Sequence, residues 1–141
     1  MSGYLLDTNV LSELVRKKPS RAVVRRLRQV RAQHVATSAV CILELRYGTA
    51  RHPQGTKIWR RLSETVLSRV EILAFGEDEA RNAGDILAGL ERSGLPIGLE
   101  DVLIAATART NGLVMVTRNV EHFERIEGLE VESWWPGEEE S

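Results

Sequence analysis

The chain has 141 residues, 43% apolar and 28% charged, with a formal net charge of −1. That length builds one domain with its own core, and no apolar run approaches the roughly 18–20 residues of a membrane-spanning helix. The first apolar stretch breaks at Asp7, unlike a signal peptide, and the single cysteine, Cys41, excludes a disulfide framework and a multi-cysteine zinc site, so a cytoplasmic protein is expected.

Gly3-Tyr4-Leu5-Leu6 is a short apolar run that predicts a buried strand ending at Asp7. Val10 to Lys18 has helical spacing, and Pro19 should stop it. Ser20 suits the cap of a second helix with a buried stripe of Val23, Val24, Leu27 and Val30 and with Arg21, Arg25 and Arg28 opposite. His34 to Thr37 reads as a strand, Ala39 to Arg51 and Ile58 to Val70 as helices, and Glu71 to Ala74 as a third strand. Glu77 to Arg92 is a helix with acids in its first turn and Gly94 just past its end. Leu99 to Thr110 is helical up to Asn111-Gly112. Leu113 to Thr117 is an apolar strand suited to a sheet covered on both faces, and Glu130 to Trp134 gives a last short strand. Strands alternating with helices predict a single α/β domain over residues 1–135, with a central, mainly parallel sheet flanked by helices. Residues 136–141 form an acidic tail.

Charge is unevenly spread. Residues 16–61 hold 13 Lys and Arg against one acid, Glu44, whereas residues 62–141 hold 6 arginines against 17 acids. Two readings follow: the basic segment is a footprint for a polyanion, with Arg16, Lys17, Lys18, Arg21, Arg25 and Arg28 as candidate phosphate contacts, or the two halves neutralise each other in the fold or in a dimer.

Three acids stand where acids are unusual. On its helix Glu44 has Val40, Cys41, Tyr47 and Gly48 one turn away, and Asp101 has Ile97, Gly98, Ile104 and Ala105. Neither neighbourhood carries a charge, and a carboxylate withdrawn from water needs a partner. Asp7 ends the first strand, the side of a parallel sheet where ligands bind, and Asn119 lies just beyond Thr117 at the corresponding end of a later strand. Each has a plainer role: helix cap for Asp7, partner of Arg46 or Arg109 for Glu44, first-turn acid for Asp101 and turn residue for Asn119. Together they describe an all-oxygen set that suits Mg²⁺ or Mn²⁺ rather than zinc. Such an ion relieves the mutual repulsion of clustered carboxylates.

Four stretches in order carry a resemblance. They are Leu5-Leu6-Asp7-Thr8-Asn9-Val10-Leu11-Ser12-Glu13-Leu14, Glu44-Leu45-Arg46-Tyr47-Gly48, Glu100-Asp101-Val102-Leu103-Ile104-Ala105-Ala106-Thr107-Ala108, and Val116-Thr117-Arg118-Asn119-Val120-Glu121-His122-Phe123. With them the chain resembles the VapC-type toxins of the PIN-domain superfamily from Tyr4 to about Trp135. The resemblance implies a Mg²⁺- or Mn²⁺-dependent endoribonuclease, the toxin of a type II toxin–antitoxin system, with Asp7, Glu44 and Asp101 as the metal-binding acids. It implies an RNA substrate, a homodimer, and a VapB-like antitoxin that carries the DNA contacts. Many PIN domains have a fourth acid where Asn119 stands; here its carbonyl oxygen remains and the charge is lost. Thr117 is placed to position a ligand or water. The alternative function is a catalytically weak PIN scaffold that binds RNA or a partner.

Other classes fit less well. An Asp-nucleophile phosphatase wants a second Asp where Asn9 stands, and a response-regulator receiver wants a lysine near Arg118. Cys41 reads as core rather than nucleophile, and His34, His52 and His122 form no triad pattern, His122 being nearest the site. Trp134 and Trp135 read as packing for the last strand. With 5% aromatic residues, no base-stacking platform is indicated.

Overall fold

The first apolar run forms strand β1 (Tyr4–Leu6), all three residues buried. β2 (Val35–Ser38), β3 (Glu71–Leu73), β4 (Val114–Val116) and β5 (Val131–Glu132) complete one sheet. The computed structural model describes residues 3–30 and 33–137, so the acidic tail expected at 136–141 lies outside the described residues from 138 onward. Every strand pair is parallel, in the order β3-β2-β1-β4-β5. The expected parallel α/β architecture is present.

The helices are α1 (Thr8–Leu14), α2 (Arg21–Val30), α3 (Ala39–Arg51), α4 (Gly55–Thr65), α5 (Glu77–Ser93), α6 (Leu99–Thr110) and α7 (Val120–Phe123). Some boundaries differ from the expected ones for identifiable reasons. α1 starts at Thr8 because Asp7 caps it, its Oδ1 accepting the Thr8 amide at 2.8 Å. It stops at Leu14, well before Pro19, because Arg16, Lys17 and Lys18 offer nothing to bury and Glu13 draws Ser20 back. α4 gives way to a 3₁₀ turn (Leu67–Arg69) that buries Val66 and leads into β3. β5 ends before Trp134, which turns inward to meet the Tyr4 ring edge-on at 5.8 Å. α7 went unanticipated: four residues are too few for a periodic signal, and one apolar side chain, Phe123, anchors it.

Elsewhere the expectations hold closely. Ser20 Oγ accepts the Val23 amide at 3.4 Å at the start of α2. Gly94 ends α5 in the left-handed conformation (φ +67°), as a helix-terminating glycine should. α6 matches its expected span and buries Val102, Ile104, Ala105, Ala106 and Ala108 between α5, α3 and the sheet. Asn82 of α5 joins it to α6, accepting from Arg109 Nε at 2.7 Å and donating to Thr110 Oγ1 at 2.9 Å. The core runs through Leu5, Leu6, Leu11, Met115, Val116 and Phe123, all fully buried.

Two glycines test this packing in opposite directions. A Cβ on Gly55 would lie 1.7 Å from the Thr49 carbonyl oxygen at the end of α3, whereas one on Gly48, inside α3, would meet nothing within 4 Å. Gly55→Ala should cost about 2 kcal/mol or more by urea unfolding. Gly48→Ala should add about 0.5–1 kcal/mol through reduced unfolded-chain freedom.

Candidate active site

The sheet order reverses beside β1. The chain moves outward through β2 and β3, then restarts on the other side at β4. Two neighbouring strands therefore leave their carboxyl ends around one crevice, the place where open parallel sheets bind ligands. The register pairs Leu6 with Val116, and one further step sets Asp7 beside Thr117. The Asp7 amide donates to the Val116 carbonyl at 2.9 Å, and Thr117 Oγ1 donates to Asp7 Oδ2 at 2.8 Å. Thr117 is fully buried and Asp7 nearly so.

Asn9 closes the same knot. Its Nδ2 donates to Asp7 Oδ2 at 3.3 Å, and its Oδ1 accepts the Arg118 amide at 3.2 Å. Thr8 reaches the other way, its hydroxyl donating to Glu44 Oε1 at 2.5 Å. Asp-Thr-Asn is thus one device: an acid, a link to α3 and a link to the loop after β4. Asp7 caps α1 as well as facing the crevice, so its two readings are compatible.

Asp7, Glu44, Asp101 and Asn119 all line a single open cleft of about 490 Å³. Glu44 is half-buried on α3, and Asp101 is half-buried in the first turn of α6. A hydrogen bond between the buried hydroxyls of Ser38 and Thr107, at 3.3 Å, ties the start of α3 to α6. Neither arginine proposed as a partner meets Glu44: Arg46 lies over the Trp59 ring at 5.1 Å, and Arg109 is held by Asn82 and the Glu127 carbonyl. Asn119 is exposed at the rim, its amide donating to Thr117 Oγ1 at 3.0 Å. His122 Nδ1 stands 3.6 Å from Asp101 Oδ2, an ion pair only when the ring is protonated.

The electrostatics are those of crowded acids. Burial pushes the Asp7 carboxyl up to about 6; the Thr117 and Thr8 hydrogen bonds oppose this, and the Asp101 and Glu44 charges add to it. Burial, then the Asp7 charge, pushes the Cys41 thiol up to about 11, which disqualifies it as a nucleophile. Among the described residues no three His, Cys, Asp or Glu side chains are gathered into a ready-made metal cage. The donors that do line the cleft are oxygens, and the cleft is open. That combination fits a hard ion such as Mg²⁺, which retains waters and takes few carboxylates, better than an ion needing an all-protein shell.

Sequence reasoning gave no role to Ser12 and Glu13, which also line the cleft, together with Arg16 of the basic segment, a residue the sequence offers as a phosphate contact. They follow Asp7 by one to three helical turns, a spacing visible in the sequence once Asp7 is placed. The charge asymmetry persists in the fold. Among the described residues Arg26–Glu132, at 3.5 Å, is the one ion pair joining a Lys or Arg of 16–61 to an acid of 62–141. Within one chain, pairing between these Lys and Arg residues and the acids of the second half is confined, among the described residues, to that contact.

The family model described as "PIN domain" matches residues 4–129. The tRNA(fMet)-specific endonuclease VapC of Shigella flexneri is 36% identical over 134 residues, spanning 95% of this chain and 99% of that protein. Toxin FitB of Neisseria gonorrhoeae is 36% identical, over 84% of this chain and 89% of its own. In the crystal structure of VapBC2 from Rickettsia felis bound to a promoter DNA fragment, one chain superposes with a TM-score of 0.87 at 31% identity. It covers 94% of this chain and 98% of that one.

Asp7 supplies a stability test. A carboxyl whose folded pKa lies near 6, above its ordinary 3.8, destabilises the fold increasingly as pH rises between those values, and fully above the higher one. In EDTA at pH 7.5, Asp7→Asn should therefore raise the melting temperature, with a gain of up to about 3 kcal/mol. The advantage should shrink as the pH is lowered below 6. An equal or lower melting temperature for the variant at pH 7.5 would contradict this account.

Proposed function

The chain belongs to the PIN domain family, and on that premise we propose that it is a divalent-metal-dependent endoribonuclease, the toxin of a toxin–antitoxin pair. One observation carries the reading: three acids from separate parts of the chain line one cleft at the switch point of the sheet. Similarity to VapC ribonucleases over nearly the whole chain supports it. So does the basic segment, whose Lys and Arg side chains meet, among the described residues, one acid of the second half.

In this proposal Asp7, Glu44 and Asp101 hold the metal, Mg²⁺ or Mn²⁺, and the bound ion supplies activation of a water and stabilisation of the phosphoryl charge during phosphodiester hydrolysis. The protein's own part is preorganisation. Thr117 and Asn9 fix the Asp7 carboxylate, and Thr8 fixes Glu44. These hydrogen bonds keep lone pairs aimed before substrate arrives. Asn119 offers a neutral carbonyl oxygen at the rim. No side chain acts as a covalent nucleophile.

The relative from Shigella is named for tRNA(fMet), so initiator tRNA is the proposed substrate to test first. The partner is a VapB-like antitoxin, with DNA reached through it, as in the VapBC2 assembly on promoter DNA. Among the described residues no helix is long and apolar enough to cross a membrane, and the proposed site of action is the cytoplasm. A homodimer belongs to the same proposal. Leu43 and Tyr47 of α3 and Leu99 of α6 are more than half exposed, which suits cover by a second copy.

Purified wild type, Asp7→Asn and Asp101→Asn are compared on tRNA(fMet) transcript and total bacterial RNA, with Mg²⁺, Mn²⁺ or EDTA. Wild type should cleave with either metal and be silent in EDTA. Each variant should lose about 100-fold or more, and Thr117→Val about tenfold, recovered in part by excess metal. Cleavage in EDTA that survives both acid substitutions would sink the mechanism. Metal and RNA binding with no cleavage would favour the scaffold reading instead.

A further inference from the structure

An acidic cleft that cleaves RNA has a problem of approach. Asp7, Glu44 and Asp101 repel the backbone they must receive, and a divalent ion offsets that only at its own position. Among the described residues lining the cleft, Arg16 is the single cation. It lies just beyond the end of α1, where the helix stops short of its expected length. Its side chain is 64% exposed, and its Nη1 stands 3.2 Å from Glu13 Oε1. It pairs with none of the three site acids.

Glu13 is the unusual member. It is a carboxylate only 5% exposed at the wall of the cleft, and the chemistry above gives it no role. Its two oxygens are divided: Oε2 accepts the Ser20 amide at 2.8 Å, and Oε1 faces Arg16. The Ser20 bond fixes the carboxylate to the backbone at the start of α2, so the guanidinium is tethered to a rigid point. A second guanidinium supports the same turn, Arg61 Nη2 donating to the Arg16 carbonyl at 3.5 Å. Guanidinium carries five N–H donors in a fork that matches phosphate. One of them faces Glu13, and the rest remain for a ligand. The tether also opposes collapse of Arg16 onto the site acids, which would compete with a metal for them.

We propose that Arg16, held by the buried Glu13, grips the RNA backbone at a phosphate flanking the one that is cleaved. Arg16 is then a substrate-binding residue, and Glu13 is a positioning residue that acts through it. The inference rests on the ribonuclease reading and adds to it the point at which the polyanion is anchored.

The test is steady-state cleavage of tRNA(fMet) transcript, or of total bacterial RNA if the transcript is spared, at several salt concentrations with Mn²⁺ present. Arg16→Ala should raise KM about tenfold with kcat within about twofold. It should also reduce the slope of log KM against log salt by about one. Arg16→Lys should restore the slope but only part of the KM, because the charge returns without the fork. Glu13→Gln keeps an acceptor for Ser20 and loses the ion pair. It should raise KM about threefold and add nothing in an Arg16→Ala background. Arg92→Ala, an exposed cation on α5, is the control and should leave the slope unchanged. Wild-type KM and slope in Arg16→Ala, or a loss in kcat alone, would overturn the inference and leave the ribonuclease reading standing. A wild type that cleaves no RNA would overturn both.

Discussion

The hydrogen bond from the Thr117 hydroxyl to the Asp7 carboxylate is the contact around which the candidate site is organised. It spans 110 residues of sequence at 2.8 Å and joins the carboxyl ends of two adjacent parallel strands. Register makes it possible: once Leu6 lies beside Val116, the next residues on each strand must meet. Thr117 then accepts the Asn119 amide and Asn9 bridges to the Arg118 amide, so the loop after β4 is set by the same pair. Removing the hydroxyl would leave a buried carboxylate short of a donor and free the loop that carries Asn119.

That contact stands against a cost. Burial and the neighbouring acids push Asp7 toward protonation, so the free protein holds a charge its environment disfavours. Two hydrogen bonds from Thr8 and Thr117 offset part of this and a divalent cation would offset more. On the proposed reading the site would be more stable occupied than empty, the usual relation between a binding site and its fold. The architecture tolerates it because the floor below is dry and well packed, with Leu5, Leu6, Met115 and Val116 fully buried.

Much of this was legible in the sequence because the relevant signals are local. Asp7, Glu44 and Asp101 stood out as charges among apolar neighbours, and α6 and the glycine end of α5 followed from periodicity and turn chemistry. What escaped was set by contacts across the fold. The early end of α1 depends on Glu13 reaching Ser20, and the short β5 depends on Trp134 finding Tyr4. α7 exists because one phenylalanine fills a place in the core. Glu13 shows the limit most clearly. Beside Arg16, one turn on, it reads as an ordinary surface pair, and only the fold makes it a buried carboxylate.

The formal net charge of −1 describes nothing that a ligand would feel. Four acids line the cleft, Asp7, Glu13, Glu44 and Asp101, while the basic segment supplies Arg16 at its wall and Arg61 behind that turn. On α2, Arg21, Arg25 and Arg28 are exposed. Two more arginines of that segment, Arg46 and Arg51, lie over aromatic rings, a placement that keeps a guanidinium charged without spending it on a carboxylate. In the proposed reading the cleft acids call for a metal ion and the exposed arginines for an RNA backbone. Asn119 fits the same economy of charge. In the proposed reading a further acid at the rim would add repulsion where a phosphate enters, whereas an amide keeps that edge neutral.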